Sequence, residues 1–391
     1  MRRIILHIDL NQFFAAATRL LEPDLIGKPL IIAGDTRRGI VSTASYEARK
    51  YGISSAMPTY IAKKLCPKVI IREVNYKWYQ QKSKEFFSYI KEHYSSHIEV
   101  ASIDECYVDM TDLMKDIKDP YLYLKNLQED VYNNTHLEAS IGLGPTKFLA
   151  KMGSDYKKPM GITIIRKKDI KKILYPLPIE DFFGIGKKTC PKLKELGINT
   201  IGDFALNDSY EVKKVMGKFY LVAKEWINGE GDDHVDENPF DPKSISSTNT
   251  FLFDTNDYEE ISKMLEIKAK EVSLDAIKNN KVGKTITLIL KDSSFKSITR
   301  SITIDKPTNS FLDIYTNVMN LFDKFFNNQL IRLAGVGLSQ LMDKEDFYVQ
   351  MNLFNLEQNQ KECSTQLLIN KLNRKANKEL FYPASKIKEK K

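Results

Sequence analysis

The stretch Ala101-Ser102-Ile103-Asp104-Glu105-Cys106-Tyr107-Val108-Asp109 decides how this chain reads, together with Ile4-Ile5-Leu6-His7-Ile8-Asp9-Leu10 near its start. Both contain short apolar runs of the kind that form buried strands, with acids at their tips. Asp104 and Glu105 are adjacent, and Asp9 is a third carboxylate far away in sequence. If the fold gathers them, they cannot be left uncompensated, and divalent ions are natural partners. Mg²⁺ takes oxygen ligands, usually a few carboxylates plus substrate phosphates. A metal pair about 3.5–4 Å apart can stabilise both the attacking and the leaving oxygen of an in-line displacement. An Asp-Glu pair at a strand end is also compatible with a solvated turn, so the surroundings must decide.

Length and composition narrow the classes. A chain of 391 residues exceeds one ordinary core and predicts two to four domains. Its 42% hydrophobic and 28% charged content describes a globular protein rather than a disordered one. The net charge of +8 favours a polyanionic partner. Eleven Lys/Arg against three acids fall between positions 157 and 194, concentrating that charge. Four scattered cysteines without C-x-x-C spacing argue against a disulfide framework or zinc site and fit a reducing cytoplasm. His7, Asp9, Asn11 and Gln12 interrupt any signal-peptide core, and no apolar run reaches membrane-spanning length.

The order of elements predicts an α+β fold. A strand at 4–9 is followed by a helix at 13–22, a small hairpin from 30–33 and 40–43, and helices at 44–51 and 58–66. A long helix at 76–93, strands at 98–103 and 105–110, a helix at 120–133 and a strand at 138–143 complete the first half. That skeleton is the split βαβ, ferredoxin-like plan with an insertion after the first strand. Residues 167–231 read as short helices, and the acidic, Pro-containing stretch at 232–243 as a linker. The order β, α, β, β, α, β then repeats at 245–253, 258–278, 285–290, 297–304, 311–326 and 331–341.

With Ile8-Asp9-Leu10-Asn11-Gln12-Phe13-Phe14-Ala15, the two opening motifs resemble the Y-family DNA polymerases, closest to the bacterial DNA polymerase IV branch. The resemblance runs through most of the chain. It implies a multidomain right-hand polymerase: a ferredoxin-like palm (1–10 and 77–166), inserted fingers (11–76), a small helical thumb (167–231), a linker (232–243), a βαββαβ little finger (244–343) and a C-terminal tail (344–391). It also implies two Mg²⁺ ions per site. Asp9 and Asp104 would ligate both, Glu105 the ion that activates the primer 3′-hydroxyl, and the Leu10 main-chain carbonyl would add a ligand. These three carboxylates are the expected catalytic residues.

Phe14 is assigned by the match as a steric gate, its apolar ring offering an incoming nucleotide's 2′-hydroxyl no partner; Phe13 better suits the core. In Thr43-Ala44-Ser45-Tyr46-Glu47-Ala48-Arg49, similar to a fingers motif, Thr43 and Tyr46 offer hydroxyl donors and Arg49 a charged fork for the triphosphate. Ser154-Asp155-Tyr156-Lys157-Lys158-Pro159 matches a palm motif in which Lys158 contacts the triphosphate, with Lys157 solvated. Phe182-Phe183-Gly184-Ile185-Gly186-Lys187, continuing through Leu193 and Leu196-Gly197-Ile198, reads as a helix-hairpin-helix. There Gly184, Gly186 and Lys187 are the DNA-binding candidates, because the glycines let backbone amides approach a phosphate. A P-loop reading fails, since Asp181 and Lys188 stand where Gly and Ser/Thr belong. Gln350-Met351-Asn352-Leu353-Phe354 resembles a sliding-clamp peptide, with Gln350, Leu353 and Phe354 as its contacts. In one departure, Gly337 stands where the family usually carries Arg.

The expected activity is template-directed addition of deoxynucleotides to a primer 3′-end with release of pyrophosphate, in low-fidelity translesion synthesis. Expected partners are primer-template DNA, deoxynucleoside triphosphates and a sliding clamp, with no membrane, for a cytoplasmic monomer. The rivals are a catalytically inactive polymerase-like DNA-binding protein and a nucleotidyl cyclase on the same palm plan.

Overall fold

The computed structural model describes residues 3–238 and 240–345. Two units emerge, Met1–Phe240 and Asp241–Lys391.

The first unit is organised around β1 (Ile5–Leu10), whose six residues are all buried. Further strands are β2 (Leu30–Ala33), β3 (Val41–Ala44), β4 (Ile70–Arg72), β5 (Ile98–Val100), β6 (Glu105–Asp109), β7 (Ala139–Gly144) and β8 (Ile162–Ile164). A five-stranded sheet runs β5-β6-β1-β7-β8, with β1 antiparallel to both neighbours. Its first four strands have the split βαβ arrangement that the element order predicts. Leu6, Ile8 and Leu10 point into one core, while Ile5, His7 and Asp9 share the opposite face by the period-two alternation of a strand. Residues 101–104 form the turn between β5 and β6 rather than extending β5 as expected. The Ala101 and Ser102 amides close it by donating to the Glu105 carbonyl at 3.0 and 3.2 Å.

Helices of this unit are α1 (Phe13–Leu21), α2 (Tyr46–Arg49), α3 (Thr59–Leu65), α4 (Tyr76–His93), α5 (Thr111–Met114), α6 (Pro120–Thr135) and α7 (Lys147–Tyr156). The expected hairpin is in fact a three-stranded sheet, β3-β2-β4, with β4 parallel to β2. Three residues are too few to show a period, which hid β4. Sequence reading also missed α7 and β8. Thr146 caps α7 by accepting from the Leu149 amide at 3.3 Å. Gly142 on β7 permits the packing: a Cβ there would collide with the Ala150 carbonyl oxygen, so helix and strand backbones touch directly.

Beyond β8 come α8 (Ile170–Ile173), α9 (Cys190–Glu195), α10 (Ile201–Leu206), α11 (Tyr210–Met216) and α12 (Phe219–Ile227). Phe148, Leu149 and Met152 of α7 enter the core of this helical module, with Phe148 stacked on Trp226 at 5.1 Å between ring centroids. The segment expected as a linker contains no helix or strand at 231–238, yet its first residues are fastened to the five-stranded sheet. Val235, 4% exposed, packs with Ile5, Tyr107 and Ala150. The Lys147 amide donates to the Asp232 carbonyl at 2.9 Å, the Asp236 amide donates to Glu99 Oε2 at 2.7 Å, and His97 pairs with Glu237.

The second unit holds β9 (Ser244–Thr255), α13 (Tyr258–Lys278), β10 (Lys281–Asp292), β11 (Ser297–Thr308), α14 (Phe311–Phe325) and β12 (Ile331–Asp343). Its sheet runs β11-β10-β12-β9. Here the last strand, β12, separates β9 from β10, whereas in the first sheet β6 separates β1 from β5. Ile286, Leu288, Leu290, Val336 and Leu338 pack with α13 and α14. Hydroxyls occupy the other face, including Thr285 against Thr303 at 3.0 Å and Thr287 against Ser301 at 2.9 Å. Gly337 lies between Thr287 and Ser246 in register, with room for a side chain. Gln350, Leu353 and Phe354 lie outside the described residues.

Candidate active site

Asp9, at the end of β1, is the direct register partner of Glu105, the first residue of β6. Asp104 stands in the preceding turn, pinned to the same place because its carbonyl accepts from the Leu10 amide at 2.9 Å. Asp9, Leu10, Asp104 and Glu105 thereby line one cleft of about 350 Å³.

Thr43, Tyr46, Arg49 and Lys158 line the same cleft. The opening of α2 is fixed to α1 by Gln12, whose Oε1 accepts from the Tyr46 amide at 2.8 Å. Gln12 can reach because its backbone adopts the left-handed region, φ 44° and ψ 42°. Ser45 caps α2 by accepting from the Ala48 amide at 3.2 Å. Arg49 donates Nε to the Ala44 carbonyl at 3.0 Å and lays its guanidinium 4.7 Å from the Tyr46 ring centroid. Phe14 is not among the residues lining this cleft; it is half-buried and stacks on Tyr79 with centroids 4.3 Å apart. Phe13 is 2% exposed, as a core residue should be, although it also borders the cleft. In the helical module, Gly184, Gly186 and Lys187 are all exposed.

Two lysines hold the carboxylates. Lys151 Nζ lies 2.6 Å from Glu105 Oε2, 3.1 Å from Asp9 Oδ2 and 3.5 Å from Asp155 Oδ2. Lys158 Nζ lies 2.7 Å from Asp9 Oδ2 and 2.8 Å from Asp155 Oδ1. The Ser102 hydroxyl donates to Asp104 Oδ1 at 2.6 Å. With their oxygens turned to these donors, no three acidic, His or Cys side chains among the described residues converge tightly enough to hold an ion unaided. The donor set still fits Mg²⁺, which completes its shell with substrate phosphates and water.

Burial pushes the Asp9 carboxyl up, but Lys158 and Lys151 more than offset it and hold it below its ordinary value. Asp104 is raised by burial, and the Asp9 charge adds to the shift. Burial also raises Glu105, opposed by the Lys151 hydrogen bond. Burial would lower Lys151; the surrounding carboxylates, Asp9 foremost, instead raise it. Behind them, His7 is fully buried and pushed down to about 3, chiefly by desolvation.

Lys151, Gln12 and His7 are site residues that sequence reading missed. Lys151 had a signal: with Asp155 it forms an i, i+4 opposite-charge pair on one face of a helix. The apolar spacing of Phe148, Leu149 and Met152 behind Thr146 marked that helix.

Three family models match in chain order. The impB/mucB/samB family covers residues 8–155, the IMS family HHH motif 167–198, and the impB/mucB/samB family C-terminal domain 242–353. A DNA polymerase IV of Bacillus velezensis is 37% identical over 390 residues, spanning 99% of this chain and 94% of that protein. Among solved structures, a Y-family DNA polymerase chimera of Dbh and Dpo4 matches with TM-score 0.75 at 25% identity, over 87% of this chain and 99% of its own. An insertion ternary complex of Dbh DNA polymerase matches with TM-score 0.61 at 26% identity, again over 87% and 99%. Strand order, clustered carboxylates and these matches agree: the chain belongs to the impB/mucB/samB family of Y-family DNA polymerases.

Proposed function

We propose that this polymerase extends a primer 3′-end on a DNA template at the Asp9–Asp104–Glu105 cleft and serves translesion synthesis. The observation that carries the assignment is the Asp9–Glu105 register pair, with Asp104 beside it, in a cleft that also presents Thr43, Tyr46, Arg49 and Lys158. Residues 1–10 and 77–166 act as palm, 11–76 as fingers, 167–231 as thumb and 244–343 as little finger.

Asp9, Asp104, Glu105 and the Leu10 carbonyl would hold two Mg²⁺ ions. When bound, these ions supply activation of the 3′-hydroxyl and neutralisation of phosphate charge. The Thr43 and Tyr46 hydroxyls donate to triphosphate oxygens, and Arg49 offers its fork to them. Lys158 exchanges its carboxylate partners for the triphosphate. Most of the rate enhancement then comes from positioning and electrostatics. Gly184, Gly186 and Lys187 approach a DNA phosphate, while Gln350, Leu353 and Phe354 engage a sliding clamp. A cytoplasmic monomer is part of this reading; the described cysteines are free, and no described helix is long and apolar enough to cross a membrane.

Primer extension on an undamaged and a lesion-containing template tests the assignment. The expected result is extension of both. A chain that binds DNA without extending either template is the inactive DNA-binding rival. One that cyclises a nucleotide without template is the cyclase.

A further inference from the structure

Lys151 is a buried cation paired to three carboxylates. It sits on α7, is 8% exposed, and its ammonium touches two of the three carboxylates proposed to hold metal. Burying an ammonium costs several kcal/mol unless it is well paired. Its pairing here uses the Asp9 and Glu105 oxygens that face each other across β1 and β6.

A second observation points to the same oxygen of Glu105. The Ser154 hydroxyl lies 2.9 Å from the Lys151 carbonyl and 2.8 Å from His7 Nδ1, which ties the histidine ring to α7. His7 Nε2 is buried without a hydrogen-bond partner and lies 3.6 Å from Glu105 Oε2. Desolvation keeps this imidazole neutral, so it gives the Glu105 carboxylate neither a hydrogen bond nor a counter-charge on that side. Lys151 provides the cation. An alternative partner lies one helical turn away, because Asp155 Oδ2 is 3.5 Å from the same ammonium and its side chain is 43% exposed.

We propose that Lys151 is a positioning residue, an internal counter-cation that holds Asp9 and Glu105 in place before divalent ions arrive. As an ion takes over Glu105 and the shared Asp9 oxygen, the ammonium shifts to Asp155. This role rests on the two-metal reading of the cleft and adds a competition to it. Lysine and metal share the same oxygens, so metal binding carries the work of displacing Lys151, and the metal-free site stays ordered.

The test uses the full chain with Mn²⁺ alone, without DNA or nucleotide, comparing wild type with Lys151→Met, which keeps the buried stem. Calorimetry should show Mn²⁺ binding tighter in Lys151→Met by about tenfold, a change of about 1.4 kcal/mol. The variant should also melt lower than wild type in EDTA, with the gap narrowing at saturating Mn²⁺. Unchanged or weaker Mn²⁺ binding by the variant overturns the proposal while leaving the two-metal reading intact. No Mn²⁺ binding to either chain, even with a deoxynucleoside triphosphate, overturns both.

If the variant does not fold, acetylation of wild-type Lys151 by acetic anhydride, read by mass spectrometry, gives the same decision. Labelling should be slow in EDTA relative to the exposed Lys157 and several-fold faster in saturating Mn²⁺. A rate indifferent to Mn²⁺ refutes the displacement.

Discussion

Asp9 and Glu105 face each other as register partners on neighbouring strands, 96 positions apart in sequence, and one ammonium bridges them. Like charges held across a strand pair repel. The fold nonetheless keeps both acids at one sheet edge, with Asp104 in the adjoining turn. Each acid there faces a donor, Lys151, Lys158 or Ser102.

Asp104→Ala should lower the primer-extension rate at least about a hundredfold, the scale seen on removing one charge-stabilising group. Primer-template affinity should stay near wild type, since the proposed DNA-phosphate contacts at Gly184, Gly186 and Lys187 lie in the helical module. Nucleotide incorporation at the wild-type rate would refute the catalytic assignment.

The two adjacent phenylalanines should respond differently. Phe14→Ala should raise ribonucleotide incorporation relative to deoxynucleotide by about tenfold or more, as expected when a pocket stops rejecting a hydroxyl. Phe13→Ala should instead cost about 3–5 kcal/mol of stability, because Phe13 is a fully packed aromatic. Unaltered sugar selectivity in Phe14→Ala would remove the gate from that residue.

His7 should make metal-free stability depend on pH. Its folded pKa of about 3 lies below its ordinary 6.5, so the unfolded chain takes up the proton first. Stability from neutral His7 is therefore complete above about 6.5 and is lost as pH falls toward 3. Urea midpoints in EDTA should drop between pH 7 and 5, with a His7 contribution approaching ~1.4 kcal/mol per pH unit. His7→Asn should remove that contribution; an identical slope in the variant would assign it elsewhere.

The hairpin glycines separate folding from binding. Gly184 has φ +95°, and a Cβ there would lie 2.5 Å from the Phe219 ring, so Gly184→Ala should destabilise. The backbone term alone is about 1–3 kcal/mol. Gly186 has nothing within 4 Å of the equivalent position. Gly186→Ala should leave the melting temperature almost unchanged yet weaken primer-template binding several-fold by fluorescence anisotropy. Wild-type affinity in that variant would argue against a close phosphate approach.

Deleting Leu353 and Phe354 should abolish stimulation by a sliding clamp while sparing extension without one. Stimulation that survives the deletion would place the clamp contact on other residues.

Much of this architecture was legible locally. The helix from Tyr76 to His93 and that from Tyr258 to Lys278 start and stop where their patterns predict. Asp9, Asp104 and Glu105 stood out because strand-like runs ended in acids. Gaps arose where the signal is short or depends on distant partners. Strand β4 has three residues, and α7 is a ten-residue helix whose position depends on packing against β7 and the helical module. Segment 232–238 lacks any period, yet Val235 and the Asp236 amide find partners on the sheet.

From the sequence alone came most of the order of elements, the family and the identity of the candidate metal acids, because periodicity and motifs are written over a few consecutive residues. Only the tertiary structure decided that Asp9 opposes Glu105, that Lys151 and Lys158 neutralise them, and that a buried histidine stands behind. Those pairings join residues 46 to 149 positions apart, where chain connectivity carries no information and only packing selects the partner.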